Sequence, residues 1–367
     1  MQWIWQHPHW PNFEYDYSKL YDYELEFHKN SGQFIGSIQH LDSTQQEAIK
    51  IDILSQEAVS TSSIEGEILD RDSVQSSIRK HLGLKTDYRK VAPNAAGISE
   101  MMVDLYQHYH QPLSPQMLFD WHKMLTNGRR DLTSIGTYRQ HEEPMQIVSG
   151  NLAAPKLYYE APPSSRVSAE MESYIDWFNS VVSKPHQLPT LAFAGIVHLY
   201  FEMIHPFEDG NGRIGRALAE KAISQRLGYP ALTSFSKVID LNKKTYYNAI
   251  QACNHRINID SYLAYFAQLT LEAQQHSLKV IEFTINKNKF FTSYATILNP
   301  RQEKVIKRMF EEGVEGFRGG LSAKNYQVIS GASPATTTRD LQELVTIKAF
   351  YKTGELKHSR YYLNLYF

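Results

Sequence analysis

An apolar run that ends in a glycine-rich, charged turn constrains this chain more than any other stretch. Leu191 to Ile204 (LAFAGIVHLYFEMI) is apolar nearly all round, as a buried central helix requires. Arg213 to Leu227 has helical periodicity and stops at Gly228, with Pro230 beyond. Between them, His205-Pro206-Phe207-Glu208-Asp209-Gly210-Asn211-Gly212 must be a loop joining two helices. Its residue types carry chemistry. A histidine with an ordinary pKa near ~6.5, such as His205, suits proton abstraction at neutral pH. Asp209 is a hard oxygen donor of the kind Mg²⁺ prefers. Gly210, Asn211 and Gly212 permit a tight turn with outward N–H groups, an anion nest. Arg213 and Arg216 share one face of the next helix's first turn, where phosphate is attracted. Base, metal ligand, nest and arginine pair together describe a nucleoside triphosphate site.

His205 to Arg216 (HPFEDGNGRIGR) resembles the Fic-family signature H-x-F-x-[D/E]-G-N-G-R-x-x-R and meets it at every specified position. A bare connector between core helices would need neither His205 nor two arginines. The resemblance implies a mainly α-helical, Fic-type bundle with a β-hairpin flap, and AMP transfer from ATP to a protein hydroxyl. It implies that His205 deprotonates the acceptor and that Asp209 holds Mg²⁺ on the α- and β-phosphates. Gly210, Asn211, Gly212 and Gly215 would hold the phosphate chain, with Arg213 and Arg216 neutralising the β- and γ-phosphates.

Three other stretches resemble Fic motifs. Thr61-Ser62-Ser63-Ile64-Glu65-Gly66 is similar to the inhibitory pattern [S/T]-x-x-x-E-[G/N], with Thr61, Glu65 and Gly66 at the specified positions. A carboxylate reaching Arg216 would form a bidentate pair and take that arginine from the γ-phosphate. Tyr246-Tyr247 with Asn254 resembles the Y-Y-x₆-N arrangement that borders the adenosine. Gly136-Thr137-Tyr138-Arg139 resembles the stretch before the flap. The flap itself would be Met145 to Val148 and Leu157 to Glu160 around Ser149-Gly150-Asn151, turn residues that favour a hairpin. Leu157, Tyr158, Tyr159 and Glu160 would dock the target by adding it as a strand.

Composition bounds the rest. The chain has 367 residues, 42% hydrophobic and 21% charged, enough for two or three ordinary globular domains. A net charge of −1 argues for no membrane or general nucleic-acid affinity. The single cysteine, Cys253, cannot form an intrachain disulfide. No opening signal peptide and no transmembrane run appear, so a cytoplasmic protein is expected, as monomer or homodimer.

Residues 1–42 form an aromatic-rich extension with Trp3, Trp5 and Trp10, expected to pack its rings onto a neighbouring domain. Residues 43–285 hold the inhibitory helix and the catalytic domain. Ser43 to Leu69 reads as one helix capped by Ser43 with Gln46 three residues on. Arg71 to Ala95 is polar and carries no motif. Helices follow at Ala96 to His108, Ser114 to Leu125 and Val167 to Val182, and later at Asn242 to Asn258 and Asp260 to Asn286. His198 and His255 read as structural, since metal-type spacing is absent.

Residues 299–367 carry 11 Lys+Arg against 7 Asp+Glu, a net of +4, in a chain whose remainder is negative. Three helices and a hairpin there resemble a winged helix-turn-helix. Thr336, Thr337 and Arg339 would face a groove, with Lys352, Lys357 and Arg360 on the wing. Such a module binds DNA or another protein. The reading is therefore a Fic-type protein adenylyltransferase restrained by Glu65. The alternative is a DNA-binding regulator whose Fic site senses nucleotide.

Overall fold

The computed structural model describes residues 2–87, 89–149, 156–314, 316–317 and 319–365. The chain is mainly α-helical, and it divides into two compact units. The first holds residues 1–39 and 50–277, the second 40–49 and 278–367.

The first unit is built around α7 (Thr190–Ile204) and α8 (Asn211–Leu227). Every residue of α7 is buried, which explains its all-round apolar sequence. α8 begins at Gly210, a left-handed cap, and ends at left-handed Gly228 (φ 77°), as the Gly228-x-Pro230 signal requires. Around this pair stand α1 (Tyr21–Gln39), α2 (Ser43–Ile64) from Lys50 on, α3 (Arg71–His81), α4 (Pro93–His108), α5 (Pro115–Leu125) and α6 (Ser164–Ser183). Next come α9 (Phe235–Leu241), α10 (Lys243–Gln251) and the long α11 (Asp260–Tyr294), whose N-terminal half belongs here.

Several boundaries differ from the sequence reading, for local reasons. α2 is capped by Asp42, which accepts from the Gln45 N–H at 2.8 Å while Gln45 reaches back to the Asp42 N–H. The box is thus Asp42/Gln45 rather than Ser43/Gln46. α2 also stops at Ile64, five residues before Leu69, because Gly66 turns left-handed (φ 85°). The polar stretch after it contains α3, started by Asp70 accepting from the Ser73 N–H at 2.9 Å. α1 falls inside the aromatic extension and buries Phe27 and Phe34.

The extension's opening residues pack their rings within the first unit. Trp3 stacks on His255 (4.6 Å) and meets Tyr159 edge-on (5.5 Å). The indole N–H groups of Trp5 and Trp10 donate to the Glu160 carbonyl and the Glu170 carboxylate, both at 2.8 Å. β1 (Gln146–Ser149) pairs antiparallel with β2 (Lys156–Glu160), with a bulge at Ile147/Val148. Gly150 and Asn151 of the expected turn lie outside the described residues.

In the second unit, α12 (Pro300–Glu311), α13 (Ala323–Ser330) and α14 (Pro334–Thr346) precede a hairpin of β3 (Phe350–Thr353) and β4 (Arg360–Leu363). Leu321 bridges to Tyr361 beside β4. Val305, Phe310, Leu321, Tyr326, Leu341 and Phe350 share the core. Ser333 caps α14 through the Thr336 N–H, and Asp340 is held inside by Arg301 and the Tyr326 hydroxyl. One expectation fails: Thr337 is fully buried, so α14 shows Thr336, Thr338 and Arg339 outward instead.

Candidate functional site

The turn between α7 and α8 brings the signature residues together. His205 ends α7 in the left-handed region (φ 51°), with its N–H on the Phe201 carbonyl at 3.0 Å. Only an unusual backbone aims the imidazole off the helix, which is the kind of strain that concentrates at working sites. Its Nδ1 faces the Glu202 carbonyl at 3.4 Å. A carbonyl only accepts, so Nδ1 carries the proton and Nε2 keeps its lone pair. Burial, with Arg139 nearby, lowers the His205 pKa to about 4, so the ring is neutral at pH 7.

The loop is braced from within and below. Asn211 accepts from the Phe207 N–H (3.0 Å) and donates to the Phe207 carbonyl (2.8 Å). Its side chain thus fixes the turn, and only its backbone is available to a ligand. Arg139, almost fully buried, donates Nε to the His205 carbonyl (2.8 Å) and Nη1 to Ser164 (2.9 Å), and also reaches the Pro162 carbonyl. It ties the loop between α7 and α8 to the base of the hairpin. Tyr159, expected to dock the target, is buried with its hydroxyl on the Met203 carbonyl at 2.7 Å, so it roots the hairpin. Leu157 stays exposed, with Ile147 and Val148 on the paired strand.

Asp209 sits between two guanidiniums. Arg213 Nη2 approaches Oδ1 at 3.2 Å, Arg129 contacts Oδ2, and the Gly210 N–H donates to Oδ1 at 2.6 Å. Burial would raise its pKa, but Arg213 and Arg129 outweigh burial and hold it below the ordinary carboxylate value. Arg129 is itself gripped by Asp131 through Nε (2.7 Å) and Nη2 (2.6 Å). Among the described residues no group of three or more His, Cys, Asp or Glu gathers as a metal cage.

Arg216 is 3% exposed and heavily engaged. Nε donates to Thr61 Oγ1 (2.8 Å), and Nη2 donates to the Thr61 carbonyl (3.1 Å) and to Glu65 Oε1 (2.7 Å). Burial opposes its charge, yet Glu65 foremost keeps its pKa above the usual arginine range. Gly212 leaves room where Glu65 lies down: a Cβ there would push Glu65 Oε1 aside. Gly215 likewise leaves room for Glu202 Oε1, a buried oxygen with no hydrogen-bond partner.

The structure brings Thr61, Glu65, Gly66 and the signature into one cluster, as the sequence suggested. Tyr246 joins it as a buried support. Its hydroxyl receives Arg216 Nη1 at a long 3.5 Å and lies 3.0 Å from His198 Nε2. Tyr247 is 38% exposed, with its hydroxyl 3.4 Å from the Ile64 carbonyl, and remains free to lean on a base. Asn254 departs from expectation: its amide donates to the Tyr158 carbonyl at 2.8 Å, so it holds the flap strand. Three participants went unread: Arg129, Asp131 and Glu67. Glu67 receives Arg213 Nη1 at 3.1 Å. Its spacing two residues after Glu65 was the one signal that pointed to it.

Residues 112–223 match the family model of the Fic/DOC family, and residues 3–84 match a domain of unknown function, DUF4172. Residues 112–223 of the chain thus carry a Fic/DOC domain. A curated relative, the protein adenylyltransferase Fic of Nematostella vectensis, is 30% identical over 109 residues, 30% of this chain and 24% of the relative. The chain thus spans about a quarter of that relative's length. A Fic family protein from Desulfovibrio desulfuricans G20 superposes with TM-score 0.52 at 18% identity, covering 93% of this chain and 95% of that one. A Fic-domain signaling protein from Bacteroides thetaiotaomicron gives 0.53 at 18%, covering 69% and 97%. Fic-1 from C. elegans gives 0.51 at 19%, covering 71% and 72%. At these identities the structures speak to the fold. No helix among the described residues is long and apolar enough to cross a membrane.

Proposed function

We propose that this protein transfers AMP from ATP to a Ser, Thr or Tyr hydroxyl of a protein, another or itself, and that Glu65 restrains it by holding Arg216. The observation that carries the reading is the neutral His205 at the rim of a helix N-terminus that also presents Arg213 and Arg216. His205 Nε2 would take the acceptor proton. The acceptor oxygen would then attack the α-phosphorus, the bond to the α,β-bridging oxygen would break, and pyrophosphate would leave. The Gly210–Gly212 backbone would receive the phosphate chain, with the arginines on the β- and γ-phosphates.

Asp209 fits Mg²⁺ as a half-exposed, ionised oxygen donor. The nucleotide and water would complete the shell, as is usual for Mg²⁺. The ion would supply neutralisation of phosphate charge. Arg129 and Arg213 would yield part of their hold on Asp209 as it enters.

The test is incubation with ATP labelled on the α-phosphate, in a cell lysate and alone. Protein-bound label is expected with Glu65→Gly in particular, and label retained only as free nucleotide would reject the reading. A second reading rests on the outward Thr336, Thr338 and Arg339 of α14 and the +4 tail: a DNA-binding regulator whose Fic site senses nucleotide. Retardation of genomic fragments that weakens steeply with salt would support it, and no retardation at low salt would reject it.

A further inference from the structure

The inhibitory turn carries a second carboxylate that the Fic-type pattern does not include. Glu65, Gly66 and Glu67 form a tight reversal after α2. The Glu67 N–H bonds back to the Ser62 carbonyl at 2.9 Å, and the Gly66 N–H to Ser63 at 3.1 Å. Each carboxylate then takes a different arginine: Glu65 meets Arg216 at 2.7 Å and Glu67 meets Arg213 at 3.1 Å. Both arginine side chains are 3% exposed and both glutamates 29%. The turn itself is anchored from behind, since Ser63 donates to Asp240 at 2.8 Å and Lys243 pairs with Asp240 at 3.1 Å.

The two pairs are not equivalent. Arg213 also holds Asp209, so Glu67 is the end of an alternating chain, Glu67–Arg213–Asp209–Arg129–Asp131. Glu65 reaches no residue of that chain.

We propose that Glu67 is a second inhibitory residue, which keeps Arg213 from the phosphate nearest Asp209 while Glu65 keeps Arg216 from the terminal phosphate. This rests on the nucleotide-binding reading above. The turn is then a double latch, each half closing one phosphate position. Glu65→Gly opens only one half. Arg213 keeps the Glu67 carboxylate on Nη1 until Glu67 is also removed.

The probes are MgATP and MgADP, with affinity read by calorimetry on the full chain for wild type, Glu67→Gln, Glu65→Gly and the double variant. Because the Glu67 pair is partly exposed, a gain of about three- to tenfold is expected from Glu67→Gln. ADP lacks the terminal phosphate, so Glu67→Gln should tighten ADP as much as ATP. Glu65→Gly should tighten ATP more than ADP. The double variant should bind ATP more tightly than either single one. Glu67→Gln made in an Arg213→Ala background should change nothing. The proposal is overturned if Glu65→Gly and the double variant bind both nucleotides alike, or if Glu67→Gln still tightens binding without Arg213. Melting curves separate loss of fold from loss of latch. If Glu67→Gln tightens ADP while Glu65→Gly alters nothing, the second latch stands and the Glu65 reading fails. If no variant binds either nucleotide, the underlying site reading fails with it.

Discussion

Replacing Glu65 by glycine should activate the protein and destabilise it at once. The variant removes one charge-assisted bond of 2.7 Å to Arg216. Such a bond contributes about 1.5–3 kcal/mol, and 29% exposure of the glutamate argues for the lower half of that range. At about 1.4 kcal/mol per decade, the gain in AMP transfer is roughly tenfold, approaching a hundredfold only if the pair is effectively dry. Arg216 stays aimed, because Thr61 still accepts from Nε and Nη2. Its charge, however, loses its nearest counter-ion in a 3% exposed position, so the apo protein should melt lower. MgATP should restore the melting point by supplying phosphate in place of the carboxylate. The assay is α-labelled AMP transfer for wild type, Glu65→Gly, Arg216→Ala and the double variant, beside thermal melts with and without nucleotide. Arg216→Ala should cancel the activation. Activity of Glu65→Gly no higher than wild type would refute the reasoning, leaving Glu65 as part of a helix end.

Other outcomes follow from the same site. His205→Ala should lose about 10²–10⁴ in transfer rate with ATP affinity nearly unchanged, and near wild-type transfer would remove His205 as the base. Since His205 is neutral down to about pH 4, activity should not show the usual histidine limb near pH 6.5; a limb there would mean an ordinary, solvated ring. Asp209→Asn should raise the Mg²⁺ needed for half-maximal nucleotide binding, and an unchanged titration would exclude Asp209 as ligand. Stability should fall between pH 7 and 8. Burial raises Glu202 and Glu220 to about 8, so the folded chain keeps two protons that the unfolded chain has already released. Stability from a raised carboxyl is lost as pH rises toward its folded pKa, by up to about 1.4 kcal/mol per pH unit for each group. Glu57, raised to about 7, adds to the slope near pH 7, so Glu220→Gln should make the slope shallower without abolishing it in melts at pH 7 and 8, and a flat profile in wild type would contradict it.

The contiguous motif was legible because its parts are neighbours in sequence. His205 to Arg216 must lie at one helix N-terminus whatever the rest of the fold does, and the all-apolar α7 could only be central. Glu65 was legible through its pattern, although its partner stands about 150 residues away. Partner choice across the fold was not. Asn254 and Asn211 have amides suited to a nucleotide, yet one serves the flap and the other its own loop, because the backbone groups nearest them needed donors and acceptors. Arg129 reaches Asp209 across 80 residues of sequence with no pattern to mark it. Thr337 shows the same limit in the second unit. Its neighbours Thr336 and Thr338 look identical in sequence, and only the helix phase against Leu341 and Leu344 decides which one is buried.

The end of α2 is where reading and structure diverge with the most consequence. Continued to Leu69, as apolar spacing suggested, the helix would have set Glu65 and Glu67 about 200° apart, since each residue advances about 100°. One carboxylate could then have faced the arginines, and the other would have pointed into solvent. Instead the helix stops at Ile64, and left-handed Gly66 (φ 85°) turns the chain between the two glutamates. The reversal is closed by the Glu67 N–H on Ser62, which spends an otherwise orphaned helix carbonyl. A β-carbon at residue 66 has space around it, but the positive φ would strain most side-chain-bearing residues there, Asn least. The glycine is thus favoured by backbone conformation rather than by crowding. Helix termination, usually read as a boundary, is here what lets two acidic side chains face two arginines one helical turn apart on α8.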